Sequence, residues 1–507
     1  MPALGLPLAS AAGTDVWAAI PSELRAPVLR GLRCTVWLAL AGVPFSFATR
    51  VLLARVGHPT LAAYGLLLLY INFVVAFLFL GGNAVAIRFL PLVAVDRRRD
   101  FLRSYSMVVS AGWLLWLALA AAFPALPGWL LGPLAAGRLG VAILALAPLP
   151  IAFTLLLAAL KGVLRLATAQ ALYRALTLCT FLFCLVLYWA WRPLLATQAP
   201  WLLCGGYLGL SGAGALLAWG ALRRACPAPA RPRWFLPPGF WPYLWGLQAA
   251  SMLGFFANQL DVLLVLHVGG LRRLGSYVAL LGLVLAISAA LKLLLEAWMS
   301  ALAHALARSD AGLAARLWRN FTRLLLPLIL LLGALLACCA APLLALYGPR
   351  YRDLLVALRW LAPFAACYGL NCLLGSTLAA MGQPGAEVRA KLARIAAYLV
   401  LFLPLWRAWG VLGAVLAWGG AEIPYLAVNL HYLRRLAPFP LAARRLLAAF
   451  GGGLALVAAL PPACDPRHLG SGLLLWAAIA LAFFLAAGYG PGELARQLQL
   501  LLPGAVS

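Results

Sequence analysis

From residue 33 to residue 490 the chain is a succession of long apolar stretches separated by short polar and basic clusters. A helix needs about 20 apolar residues to cross a bilayer. The pattern predicts fourteen such helices, near 33–56, 60–92, 104–126, 139–160, 171–191, 199–222, 243–267, 276–300, 321–347, 355–381, 390–410, 411–434, 441–461 and 470–490. The second is too long for one span and is expected to break at Gly81-Gly82. The eleventh and twelfth are separated at the turn signal of Gly410–Gly413. Composition agrees: 65% of residues are hydrophobic and 10% charged, with mean hydropathy +0.99, where soluble domains are roughly 25% charged. The reading is an all-α polytopic membrane protein. Its start, MPALGLPLASAAGTDVW, lacks a basic n-region, so the first span is expected to stay in the membrane rather than leave with a signal peptide.

The basic residues orient the spans. With the N-terminus inside, DRRRDFLR (96–103), KGVLR (161–165), RRACPAPARPR (223–233), RLWRNFTR (316–323), RAKLAR (389–394) and RRLAPFPLAARR (434–445) all face the cytoplasm. With the tails, Arg88, Arg174 and Arg308, that side holds 27 of the 39 Lys and Arg; outward loops and their flanks hold 11, and Lys292 lies within a helix. This is the asymmetry of the positive-inside rule, and it puts both termini in the cytoplasm of the inner membrane. The net charge of +27 therefore speaks for orientation and contact with anionic membrane lipid. No nucleic-acid-reading motif accompanies it.

The chain also resembles itself. RVLLARVGHPTLAAYGL (50–66) matches DVLLVLHVGGLRRLGSYVAL (261–280), LLGPLAAGRLGVAILALAP (130–148) matches LYGPRYRDLLVALRWLAP (346–363), and LLAWGALRR (216–224) matches AVNLHYLRR (427–435). The offsets, 211, 216 and 211 residues, agree closely enough to define a repeat of six spans. An even number makes the repeats parallel, an arrangement suited to two lobes rocking about a central site. The expected organisation is a cytoplasmic segment 1–32, a first lobe 33–224, a Pro- and Arg-rich linker 225–242, a second lobe 243–435, two additional helices in 436–490 and a tail 491–507.

Ionisable groups inside spans are costly and are candidates for function. Asp261 stands in FFANQLDVLLVLHVGG beside Asn258 and Gln259, and the repeat aligns it with Arg50. Each follows 17–18 residues of helix, about 25–27 Å of rise, so the two charges could meet across the central axis as a gate. Glu422, between Gly420 and Pro424, is expected to be a protonatable carboxylate facing a cavity, the alternative being a packed protonated acid. Lys292 and Glu296 are one helical turn apart and suit either a coupling role or a local ion pair. Arg88 stands at the inner end of the second span, which positive-inside placement alone explains. Asn258 and Gln259 suit a polar ligand or helix–helix hydrogen bonds.

Enzyme classes find little support. No outward loop exceeds about a dozen residues, a length typical of plain connections, and the five histidines do not cluster. There is no P-loop sequence, and eight of the ten cysteines fall in spans, without metal-ligand spacing. No cofactor is expected beyond a coupling ion, H+ or Na+.

Two six-span lobes with two added helices resemble the polysaccharide-exporter branch of the multidrug/oligosaccharidyl-lipid/polysaccharide (MOP) superfamily. QLDVLLVLHVGGLRRLGSYVAL is similar to that family's passage from helix 7 to helix 8, where Asp, Gly and Tyr recur (here Asp261, Gly269 and Tyr277), and ALYGPRYRDLLVALRWLAP to its turn from helix 9 to helix 10. The similarity covers roughly residues 33–435. It implies a flippase carrying a polyprenyl-diphosphate-linked oligosaccharide to the outer leaflet, with glycosyltransferases or a polymerase of the same pathway as partners. In the related lipid II flippases, arginines lining the central cavity hold the diphosphate. The resemblance places Arg50, and more loosely Arg88, at such positions; Asn258 and Gln259 would add polar contacts. Asp261, Glu422, Lys292 and Glu296 would serve gating or coupling. The alternatives are a drug antiporter like the superfamily's multidrug exporters and a membrane subunit that assembles a polysaccharide machine without transporting.

The topology has a direct check. In a Cys-free background, a cysteine at position 350 should react with an impermeant reagent from outside the cell, and one at position 98 only after permeabilisation. The reverse pattern would overturn the orientation.

Overall fold

A computed structural model describes most of residues 42–437, the longest gap being 227–232. The thirteenth and fourteenth expected spans lie outside the described residues. Every regular element among them is helical. The first half comprises α1 (44–56), α2 (His58–Phe73), α3 (Gly82–Phe89), α4 (Arg98–Ala122), α5 (Gly137–Ala145), α6 (Pro148–Gly162), α7 (Leu166–Ala190) and α8 (Arg192–Arg223). The second comprises α9 (Phe240–Ala307), α10 (Ala311–Cys338), α11 (Ala340–Tyr347), α12 (Leu355–Ala380), α13 (Pro384–Trp409) and α14 (Val411–Leu436). Among the described residues eight helices are long and apolar enough to cross a membrane, nine if α10 and α11, bent by 65° at their junction, make one span.

One of those eight is in truth a hairpin. The stretch Phe240–Leu285 passes the length test as a single candidate, but Gly270 takes φ 69° and ψ 179°, a backbone state an L side chain resists. The Tyr277 hydroxyl donates to Asp261 Oδ2 at 2.8 Å. On a straight helix those residues would stand about 24 Å apart at 1.5 Å per residue. The chain therefore doubles back at Gly270, and α9 has two arms, 240–269 and 271–307. The predicted gap between the seventh and eighth spans shrinks to one glycine.

The expected break in the second span is present. After α2 the chain makes a π-helical turn, Val74–Leu78, then a left-handed passage through Gly81 and Gly82 (φ 73° and 59°) into α3. Such a break frees backbone groups that lipid cannot satisfy. Gln248 on α9 fills the need: its Oε1 accepts the Gly81 N–H at 3.0 Å and its Nε2 donates to the Ala76 carbonyl at 2.8 Å. Gly410 (φ 56°) divides α13 from α14 where the sequence placed the boundary.

Within each half the helices pack on their sequence neighbours, most extensively α13 on α14, α12 on α14, and α6 on α8; α9 lies along α2 and joins the halves. Small residues permit the closest approaches. A Cβ at Gly413 would fall 1.9 Å from the Leu405 carbonyl oxygen, whereas Gly205 faces open space. Gly413→Val should therefore lower the apparent melting temperature of the solubilised protein, at an overpacking cost of about 1–3 kcal/mol. Gly205→Ala should leave it unchanged or raise it.

Candidate functional site

At one end of the bundle the two halves are clasped together. Arg192 donates to the Arg55 carbonyl at 3.3 Å, and Arg55 Nε donates to the Leu346 carbonyl at 3.1 Å. The His58 ring lies 4.3 Å from the Tyr351 ring, centroid to centroid, and its Nδ1 is 3.2 Å from Ser276 Oγ. Phe47 packs edge-on to Tyr347 at 5.9 Å. The α1–α2 turn, the Gly270 hairpin and the Tyr347–Tyr351 turn meet here, the end that the basic-residue distribution assigns to the outside.

Below this clasp lies a cavity of about 680 Å³. It begins at Arg50 and Gly282 and extends to Glu387 and Lys391 in the first turns of α13. Among the described residues five charged side chains line it: Arg50, Lys391, Arg394, Asp261 and Glu387. Lys391 pairs with Glu387 at 2.8 Å. Arg394 pairs at 2.8 Å with Glu422, their side chains 7% and 0% exposed. Aromatic faces surround that guanidinium, with the Trp418 and Tyr425 rings at 5.8 Å and Tyr368 at 6.0 Å, an arrangement favourable to a desolvated cation. Asn371 Nδ2 donates to Glu422 Oε2 at 2.7 Å, Asn429 donates to Asn371 Oδ1 at 3.3 Å, and Arg394 Nη1 donates to Asn258 Oδ1 at 3.3 Å. One buried network thus ties α9, α12, α13 and α14.

Of the expected site residues, Arg50, Asn258, Gln259 and Asp261 come together on the cavity wall. Arg50 and Asp261 do not form the expected ion pair in this structure. The Arg50 guanidinium crosses from α1 to donate to the Gly282 carbonyl on the second arm of α9, leaving Nε unpartnered. The hairpin instead gives Asp261 the Tyr277 hydroxyl, while Oδ1 is buried without a hydrogen bond. Asn258 makes local bonds, donating to the Gly254 carbonyl at 2.8 Å. Glu422 does not face the cavity: it is fully buried behind Arg394, which takes the charge it would otherwise show. Arg88 is exposed, away from the cavity, with its guanidinium 4.3 Å from the Tyr243 ring centroid. Lys292 and Glu296 fall on the helical second arm of α9, but their side chains lie outside the described residues.

Arg394 is the site residue that sequence reasoning missed. It was counted with the basic loop RAKLAR, whereas α13 starts at Pro384 and carries it well into the helix. The available signal was Glu422: a mid-span carboxylate needs a partner, and across the Gly410 turn a basic residue at similar depth was there to supply one.

No family model and no curated protein matches the sequence. Solved structures do match its fold. The lipid II flippase MurJ in an inward closed conformation is 12% identical, covers 89% of this chain and 97% of its own, and gives a TM-score of 0.61. An inward-facing multidrug resistance MATE family transporter of the MOP superfamily is 14% identical over 82% of this chain and 99% of its own, with a TM-score of 0.60. A MOP superfamily transporter from Pyrococcus furiosus, described by the reverse polarity of its binding pocket, is 15% identical over 87% and 100%, with a TM-score of 0.59. These likenesses, and the apolar helices, define a multi-pass membrane protein with the fold of the MOP superfamily transporters.

The Arg394–Glu422 pair has a measurable signature. Removing one partner of a buried pair leaves the other bare, at a cost of about 3–5 kcal/mol, while replacing both by apolar groups is far milder. Glu422→Leu alone should sharply lower the yield and melting temperature of the solubilised protein. Adding Arg394→Met should recover much of that loss. A double variant no better than the single one would deny the pair its structural role.

Proposed function

We propose that this protein is a flippase that moves a polyprenyl-diphosphate-linked oligosaccharide from the inner to the outer leaflet of the cytoplasmic membrane for polysaccharide export. The observation that carries the reading is the charge left on the cavity wall once its ion pairs are made. Lys391 and Arg394 are matched by Glu387 and Glu422, whereas Arg50 has no carboxylate partner among the described residues. A guanidinium holds phosphate oxygens through paired N–H donors and keeps its charge at every relevant pH. Asn72, Asn258 and Gln259 add amide groups suited to sugar hydroxyls. The shared fold with a lipid II flippase supports this reading. The clasp near His58, with the cavity reaching the opposite end of the bundle, suits alternating access in which the head group enters from the cytoplasmic side.

The second reading is a drug antiporter, favoured by Asp261, an acid on the cavity wall with no cationic partner among the described residues. The two readings separate in cells. Depletion of the flippase should cause an inward-facing lipid-linked oligosaccharide to accumulate, whereas an antiporter would alter drug sensitivity and leave the lipid-linked pool unchanged. A non-transporting assembly subunit would keep export after Arg50 is neutralised.

A hydrogen bond to a charged group contributes about 1.5–3 kcal/mol. Arg50→Ala should therefore lower export by at least about tenfold in protein that is still inserted and monodisperse, and Arg50→Lys should keep part of it. Normal export by Arg50→Ala would mean that the diphosphate is held elsewhere.

A further inference from the structure

The clasp that closes the cavity is built around a titratable ring, and its surroundings are arranged for the neutral form. His58 is half-buried and opens α2, at the helix end whose unpaired N–H groups carry partial positive charge. Its neighbours come from two other elements. Arg272 and Ser276 belong to the second arm of α9, and Arg350, Tyr351 and Asp353 to the turn before α12. Burial is the first obstacle to a charge on the ring, and the Arg272 and Arg350 guanidiniums add to it against the one carboxylate of Asp353. The Arg55 guanidinium, on the preceding helix, is committed to the Leu346 carbonyl. The Tyr351 face offers a proton on the ring some compensation, but the net field of the charged groups opposes it.

The contact is tight as well as charged. A Cβ at Gly275 would fall 2.2 Å from the His58 carbonyl oxygen, so the α1–α2 turn sits directly on the backbone of the hairpin. The ring itself bridges the halves, tilted at 36° against Tyr351 and joined to Ser276. In the neutral ring Nδ1 can accept the Ser276 hydroxyl proton. Protonation turns Nδ1 into a donor, and the hydroxyl must swing to the Arg272 carbonyl, which lies at 3.5 Å.

We propose that His58 is a proton-binding site that controls this clasp: the neutral imidazole holds the two halves together, and a proton taken from the outer solvent loosens them. The ring gains one proton and one positive charge, and no other group need change. Because the neutral form favours the closed clasp, the open state binds the proton more tightly, so acid on the outer face shifts the population towards opening. This rests on the alternating access proposed above, but not on the identity of the cargo. It supplies a physical route by which acid on the outer side favours the return to the outer face.

The test reads accessibility, so it is independent of any glycan. In a Cys-free background, Leu285→Cys places a thiol on the cavity wall and Trp191→Cys an exposed reference near the clasp. Labelling by an impermeant thiol reagent from the outer side, expressed as the ratio of the two rates, is measured from pH 8 to pH 5. The ratio should rise severalfold towards pH 5, as protonation moves the population to the open state. His58→Gln should hold the ratio low and flat. Asp353→Asn, which leaves His58 in place and removes its compensating charge, should move the midpoint to lower pH. A ratio that does not change with pH, a His58→Gln protein that responds like the parent, or an unmoved midpoint in Asp353→Asn would overturn the proposal. Normal export by Arg50→Ala, which would overturn the diphosphate reading, leaves this proposal standing if the pH response is intact.

Discussion

A guanidinium and a carboxylate 2.8 Å apart in an apolar bundle set the terms for the second half of this protein. Neither Arg394 nor Glu422 can be moved alone, because an unpaired charge in that interior is far more costly than the pair. Arg394 projects from α13 and Glu422 from α14, with Asn371 of α12 on the carboxylate and Asn258 of α9 on the guanidinium. Four helices are thereby fixed in register by one charge-balanced knot. The character of the cavity follows from that balance. Since Arg394 is neutralised from behind and Lys391 from beside, the wall presents, among the described residues, Arg50 from the first half and Asp261 from the second as its unmatched charges.

The helices were legible because apolar run length and glycine punctuation are local signals. The boundary at Gly410, the break at Gly81-Gly82 and the extent of α12 all follow from them. Gly132 and Gly348, which the expected repeat aligns, both take positive φ (53° and 114°). Side-chain pairing was harder, since it depends on helix start points and on what neighbouring helices offer. Moving the start of α13 from residue 390 to Pro384 turned Arg394 from a loop charge into a buried partner and took Glu422 off the cavity wall. The height argument for Arg50 and Asp261 did bring both to one cavity. It could not see that Tyr277, folded back at Gly270, and the Gly282 carbonyl would each reach first.

The two halves are alike in plan and unlike in chemistry. The second pairs Arg394 with Glu422 internally and is stiffened by that pair. The first contributes to the site Arg50, a cation that spans the gap to the other half instead of finding a carboxylate in its own. An incoming anion at Arg50 would therefore compete with the contact to Gly282, and binding would act on the relation between the halves as well as on the ligand.

The broken α2 has a mechanical consequence. Gln248 lies 22 residues before the Gly270 hairpin, about 33 Å along the first arm of α9, so its grip on Ala76 and Gly81 is at the far end of the bundle from His58. It bonds to backbone that the break has left bare, and releasing it would strand a donor and an acceptor together in the membrane interior. The amide therefore acts as a pin: one side chain of the second half completes the backbone hydrogen bonding of the break in the first, so that break holds only while the two halves stay together.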